Sequence, residues 1–111
     1  MSAVPAHHHT WSLRVTRDLA NGATTLTVCG RLGTYGAHDL RAALGVAPPP
    51  GTRVLLDLEG VDYISSAGIA VLQEASVSLG EAGSRMELLR TSEAVRLALR
   101  LAGADVGEGG S

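Results

Sequence analysis

A chain of 111 residues with a formal net charge of −2 has room for one domain and lacks the basic surplus of a general nucleic-acid binder. Apolar residues make up 45% and charged residues 18%, enough to bury a core and too apolar for intrinsic disorder. No apolar run approaches the roughly 18–20 residues that cross a bilayer.

The first residues show no basic start followed by an apolar stretch, so no signal peptide is expected. The single cysteine, Cys29, excludes an internal disulfide and disfavours a cysteine-built metal cluster. Its expected role is that of a buried small hydrophobe in a soluble protein of a reducing cytoplasm. The aromatic residues are Trp11, Tyr35 and Tyr63. They are too few to stack a single-stranded nucleic acid.

Residues 1–10 read as a flexible tail. Its run His7-His8-His9 has no further ligands nearby, so no metal site is expected. The domain is expected over 11–103, with a Gly-rich flexible tail over 104–111. Trp11 to Asp18 alternates as a half-buried strand, with Trp11, Leu13 and Val15 inward. Asn21-Gly22 is a hairpin turn signal. A second strand is expected over Thr24–Leu32, then a short helix over Ala37–Leu44 with Asp39 in its first turn. The Pro48-Pro49-Pro50-Gly51 stretch is a rigid loop.

Val54–Leu58 is nearly all apolar, the pattern of a central strand covered on both faces. Glu59-Gly60 breaks it. The Val61–Ile64 segment then leads to Ser65-Ser66-Ala67-Gly68. A helix from Ala67 to about Leu79 presents Ile69, Leu72, Ala75 or Ser76, and Leu79 on one face, and Gly80 and Gly83 end it. In Arg85–Arg90, Met86 and Leu88 point inward. A last helix is capped by Thr91 or Ser92 and buries Val95, Ala98, Leu99 and Ala102. The order predicts an α/β fold: one small domain, a four-stranded mixed sheet, and about three helices packed mainly on one face.

No enzymatic constellation is present, so no catalysis and no cofactor are expected. Ser66 is not in a G-x-S-x-G elbow, and with no Lys there is no P-loop. The Ser65-Ser66 pair lies where a buried strand gives way to a helix. Hydroxyls there cap the helix, and an anion there faces the positive end of its dipole. A phosphate on such a serine adds about −1.5 to −2 charges.

The stretch Val54-Leu55-Leu56-Asp57-Leu58-Glu59-Gly60-Val61-Asp62-Tyr63-Ile64-Ser65-Ser66-Ala67-Gly68-Ile69-Ala70-Val71-Leu72 resembles the signature of the STAS domain, best known as stand-alone bacterial anti-sigma factor antagonists. Gly30-Arg31-Leu32 matches the family's Gly-x-Leu at the end of the second strand, and the helix beginning Ser92-Glu93-Ala94-Val95-Arg96 also fits. The resemblance implies a STAS-like fold and a cytoplasmic regulatory module that binds an anti-sigma factor, often a serine kinase of the GHKL type. It also implies that phosphorylation at the helix start breaks the complex and that a serine phosphatase restores it. The chain departs from the family pattern in three places. Ala67 stands where the phosphoacceptor usually does, Ser65 replaces an aspartate, and Gly33 replaces a second acidic residue. Ser66 is therefore the first candidate for phosphorylation and Ser65 the second. The expected contact surface comprises Gly33, Thr34, Ser65, Ser66, Ala67, Gly68, Ile69 and Val71. STAS domains also occur in transporters, which implies an alternative role as an accessory subunit of a membrane lipid or anion transporter.

Overall fold

The computed structural model describes residues 13–46 and 49–104. The histidine run, Trp11, Pro48 and residues 105–111 lie outside that range. Four strands and three helices follow in the order β1 (Leu13–Ala20), β2 (Ala23–Leu32), α1 (Thr34–Leu44), β3 (Arg53–Ile64), α2 (Ser66–Glu81), β4 (Arg85–Thr91) and α3 (Glu93–Ala102). The sheet order is β1-β2-β3-β4. β1 is antiparallel to β2, and β2, β3 and β4 run parallel. The mixed sheet and central third strand are those the sequence predicts.

The β1–β2 hairpin closes on Asn21 at φ 54° and Gly22 at φ 75°. This is the type I′ conformation in which Asn-Gly is favoured. Alternation then sends Leu26 and Val28 from β2, Val54, Leu56 and Leu58 from β3, and Met86 and Leu88 from β4 into one core. Leu40 of α1, Leu72 and Leu79 of α2, and Val95 and Leu99 of α3 close that core.

The other face of the sheet carries Arg14, Thr16, Asp18, Thr25, Thr27, Cys29, Arg53, Leu55 and Glu87, all exposed or half-buried. Two expectations are corrected here. β3 is central but not covered on both faces, since Leu55 is half-buried and Asp57 shares its side. Cys29 is exposed, because it alternates with buried Val28 and so falls on the open face.

Asp57 itself is only 6% exposed. Burial of a carboxylate calls for partners, and it has them. Its Oδ2 accepts from Arg90 Nε and a terminal nitrogen of the same guanidinium, and its Oδ1 accepts from the Glu59 amide. Arg90 also pairs with Glu59 at 3.0 Å. The hydrogen bond to Asp57, together with the nearby charges of Asp57 and Glu59, holds the Arg90 guanidinium above its ordinary pKa.

Several boundaries differ from the sequence reading. β3 is continuous through Glu59-Gly60, where a register shift against β2 absorbs an extra residue rather than ending the strand. α1 begins at Thr34 after an N-cap at Gly33, so Asp39 lies beyond its first turn. α2 continues through Gly80 to Glu81. In α3, Val95 and Leu99 are buried and Ala98 half-buried, but Ala102 is exposed.

Candidate functional site

The parallel pairing of β2 and β3 brings their C-terminal ends together, with Arg31 opposite Tyr63 and Leu32 opposite Ile64. Both strands then turn into helices side by side. The Ser65 amide donates to Leu32 O at 3.0 Å, and the Ser65 hydroxyl donates to the same oxygen at 3.3 Å. Gly33 and Thr34 therefore adjoin Ser65 and Ser66 through the fold, although Gly33 and Ser65 are 32 positions apart in the sequence.

The two serines have different jobs. Ser65 is the N-cap of α2: its Oγ accepts from the Gly68 amide at 3.3 Å while its backbone is extended. This satisfies one of the amides that a helix start leaves unpaired. Ser65 is half-buried, and both its hydroxyl bonds tie it to the scaffold. Ser66 is the first residue of the helix and is exposed. Its hydroxyl has no hydrogen-bond partner among the described residues. Of the pair, only Ser66 presents a free hydroxyl to solvent, and it does so at the positive end of a 16-residue helix.

The remaining expected contacts divide by burial. Thr34 is exposed, and Gly33, Ala67 and Ile69 are half-buried. Gly68 is buried with no space to spare: a Cβ there would lie 2.7 Å from both Leu32 Cγ and Leu32 O. Val71 is 2% exposed and belongs to the core. It is removed from the contact surface because the helix turns that position onto the sheet.

Three residues missed in the sequence, Arg31, Tyr35 and Tyr63, complete this end of the molecule. The Arg31 guanidinium lies over the Tyr63 ring, 4.5 Å from its centre. That ring also flanks Gly33, whose missing Cβ would sit 3.6 Å from Tyr63 Cε2. Tyr35, in the first turn of α1, is 78% exposed. In a chain with three aromatics, two at the ends of β2–α1 and β3 were the signal. Their placement depends on a register that only the folded sheet reveals. The end presents Ser66, Thr34, Tyr35, Tyr63 and Arg31: hydroxyl, aromatic and cationic groups suited to a protein surface.

Among the described residues no three His, Cys, Asp or Glu side chains gather to hold a metal. A groove of about 360 Å³ lies between α1 and α2, lined by Leu44, Val71, Ala75 and Leu79, with Arg41 and Glu74 paired beside it at 2.8 Å. Along α2 its lining begins at Val71, about one and a half turns from Ser66. No helix among the described residues is long and apolar enough to cross a membrane.

The fold and this strand-to-helix junction define a small α/β domain with a four-stranded mixed sheet. The family model described as "Mlab, STAS domain" matches residues 15–106, so the chain belongs to the STAS-domain family. A comparison with curated proteins found no match. Among solved structures, an anti-sigma factor antagonist from Mycobacterium paratuberculosis is 22% identical, with TM-score 0.70, covering 82% of this chain and 78% of the other. The Bacillus cell fate determinant SpoIIAA in its phosphorylated form is 17% identical, with TM-score 0.65, covering 81% and 84%. The anion transporter murine Solute Carrier 26 family member A9 is 17% identical, with TM-score 0.58, covering 78% of this chain and 18% of the transporter. At these identities the likeness is one of fold.

Proposed function

We propose that this chain is a non-catalytic regulatory binding module of the anti-sigma factor antagonist kind. It binds an anti-sigma factor of the GHKL serine kinase type through the junction of Gly33–Thr34 with Ser65–Ile69. Ser66 is the switch: phosphate there places a dianion in the contact surface, and a serine phosphatase removes it. The carrying observation is the division of labour between the serines. Ser65 is committed to the cap, and Ser66 stands exposed beside it. The similar folds of an anti-sigma factor antagonist and of a phosphorylated cell fate determinant support the reading.

A second reading has its own observation. Ala67 removes the hydroxyl that the family uses as acceptor, and a similar domain occurs within an anion transporter. The chain would then be an accessory subunit of a membrane lipid or anion transporter, binding through the same end without being switched. One experiment separates the two. The purified chain is incubated with a cognate GHKL kinase and ATP, its sites are mapped by mass spectrometry, and its bound partners are identified by pull-down. Phosphate on Ser66 with a kinase partner supports the first reading. An unmodified chain that captures an ABC transporter ATPase replaces it with the second.

A further inference from the structure

Among the described residues β1 is an edge strand: it pairs with β2 on one side only. The two-residue turn makes Ala20 and Ala23 a hydrogen-bonded pair. Alternation then turns the backbone groups of Asp18, Thr16 and Arg14 toward β2. Those of Val15, Arg17 and Leu19 point to the free edge. Arg14, Thr16 and Asp18 place their side chains on the open face of the sheet, and all three are exposed. Among the described residues neither Arg14 nor Asp18 has an ion-pair partner. They cannot satisfy each other, since four residues along a strand span about 13 Å.

We propose that this edge is a self-association surface, and that its occupant is β1 of a second copy, paired antiparallel about a two-fold axis through Thr16. In that register Val15 of each copy forms a hydrogen-bonded pair with Arg17 of the other, and Leu13 with Leu19. Arg14 of each copy lies opposite Asp18 of the other in a non-hydrogen-bonded pair, the kind that brings side chains closest. Two opposite-charge contacts form at once, because the contact is isologous. Leu19, 65% exposed in the single chain, gains an apolar neighbour.

The charges select this register. An axis through Arg14, Arg17 or Asp18 sets like charges against each other. An axis through Val15 places Arg14 opposite Thr16 and leaves Asp18 unused. Edge strands commonly carry charge to block such pairing; here the sequence Arg14-Val15-Thr16-Arg17-Asp18 blocks the alternatives and completes one. The product is an eight-stranded sheet whose Ser66 junctions lie at opposite ends, because each adjoins the N-terminal end of its own β1. A single-strand contact is small, so association is expected at micromolar rather than nanomolar concentration. The proposal is independent of which protein the Ser66 junction binds.

Sedimentation equilibrium on the full chain tests it. The wild type is expected to be a concentration-dependent dimer. Arg14→Asp and Asp18→Arg are each expected to raise the dissociation constant about tenfold or more. The two reversed chains, mixed, are expected to dimerise again, since each supplies the charge the other lacks; recovery also shows that both are folded. Thr16→Cys in a Cys29→Ser background is expected to oxidise to a covalent dimer across the axis. A wild type that stays monomeric at every concentration overturns the proposal. So does a dimer indifferent to both reversals, or a pair of reversed chains that fail to associate. Protection of the Val15, Arg17 and Leu19 amides from exchange in a monomer places another segment of this chain on the edge, and overturns it too.

Discussion

Adjacent serines that look interchangeable in the sequence diverge once hydrogen bonds are assigned. Ser65→Ala removes the side-chain acceptor for the Gly68 amide, and is expected to cost about 1 kcal/mol in denaturant unfolding. Ser66→Ala removes no protein contact, and is expected to leave the unfolding midpoint within error of the wild type. Equal losses for the two variants would show that the cap is shared. Gly68 is the tighter constraint. A methyl group there meets Leu32 and Ile64 within 3 Å, backbone oxygen included. Gly68→Ala is therefore expected to destabilise by about 2 kcal/mol or more through overpacking. It must also push the start of α2 off the end of β2, so partner binding should fall even under conditions where the variant is fully folded. The motif's Ser-x-Ala-Gly character was plain in the sequence. Which hydroxyl caps and which is free was not, because that depends on helix phase at single-residue resolution.

At the scale of elements, the strands and helices follow from alternation and periodicity, and the departures have a common cause. Glu59-Gly60 reads as a break because glycine and a charge interrupt an apolar run. In the sheet they form a bulge that β3 passes through, because β2 and the Asp57–Arg90–Glu59 cluster hold both sides of it. Position 60 has to be small: its Cβ would lie 2.7 Å from Cys29 Sγ. That sulfur is a movable side chain, so Gly60→Ala is expected to be milder than Gly68→Ala. The cost should shrink further in a Cys29→Ala background. Thermal unfolding of both singles and the double would show it as a coupling between neighbours, and strict additivity would contradict the contact. Similarly, Arg90→Gln is expected to lower the melting temperature more than Glu59→Gln. The first leaves the buried Asp57 carboxylate with the Glu59 amide alone, while the second removes only an exposed partner.

For the molecule as a whole, the one-sided arrangement of helices explains what composition could not. The character of a lone cysteine predicts burial of Cys29 and the apolar run Val54–Leu58 predicts cover on both faces of β3, yet three helices cover one face of a four-stranded sheet and leave the other polar. The same arrangement puts both parallel crossovers, β2 to α1 and β3 to α2, at one end. Two helix N-termini and Ser66 therefore meet where a partner can reach them. Charge at that end should act on binding and not on folding. An aspartate at Ser66 sits in the first turn of α2, where the helix dipole favours it by about 0.3–1 kcal/mol, so Ser66→Asp is expected to unfold no earlier than the wild type. In the proposed complex the same carboxylate would lie in the contact surface and lose water. If the partner leaves it unpaired, the cost is a few kcal/mol, or about one to three decades of affinity. Ser66→Ala carries no charge and is expected to bind as the wild type does. Titration calorimetry with the purified anti-sigma factor proposed as partner checks the ranking. Equal affinities for wild type, Ser66→Ala and Ser66→Asp would mean that this junction binds without being switched, as the replacement of the usual acceptor by Ala67 would then require.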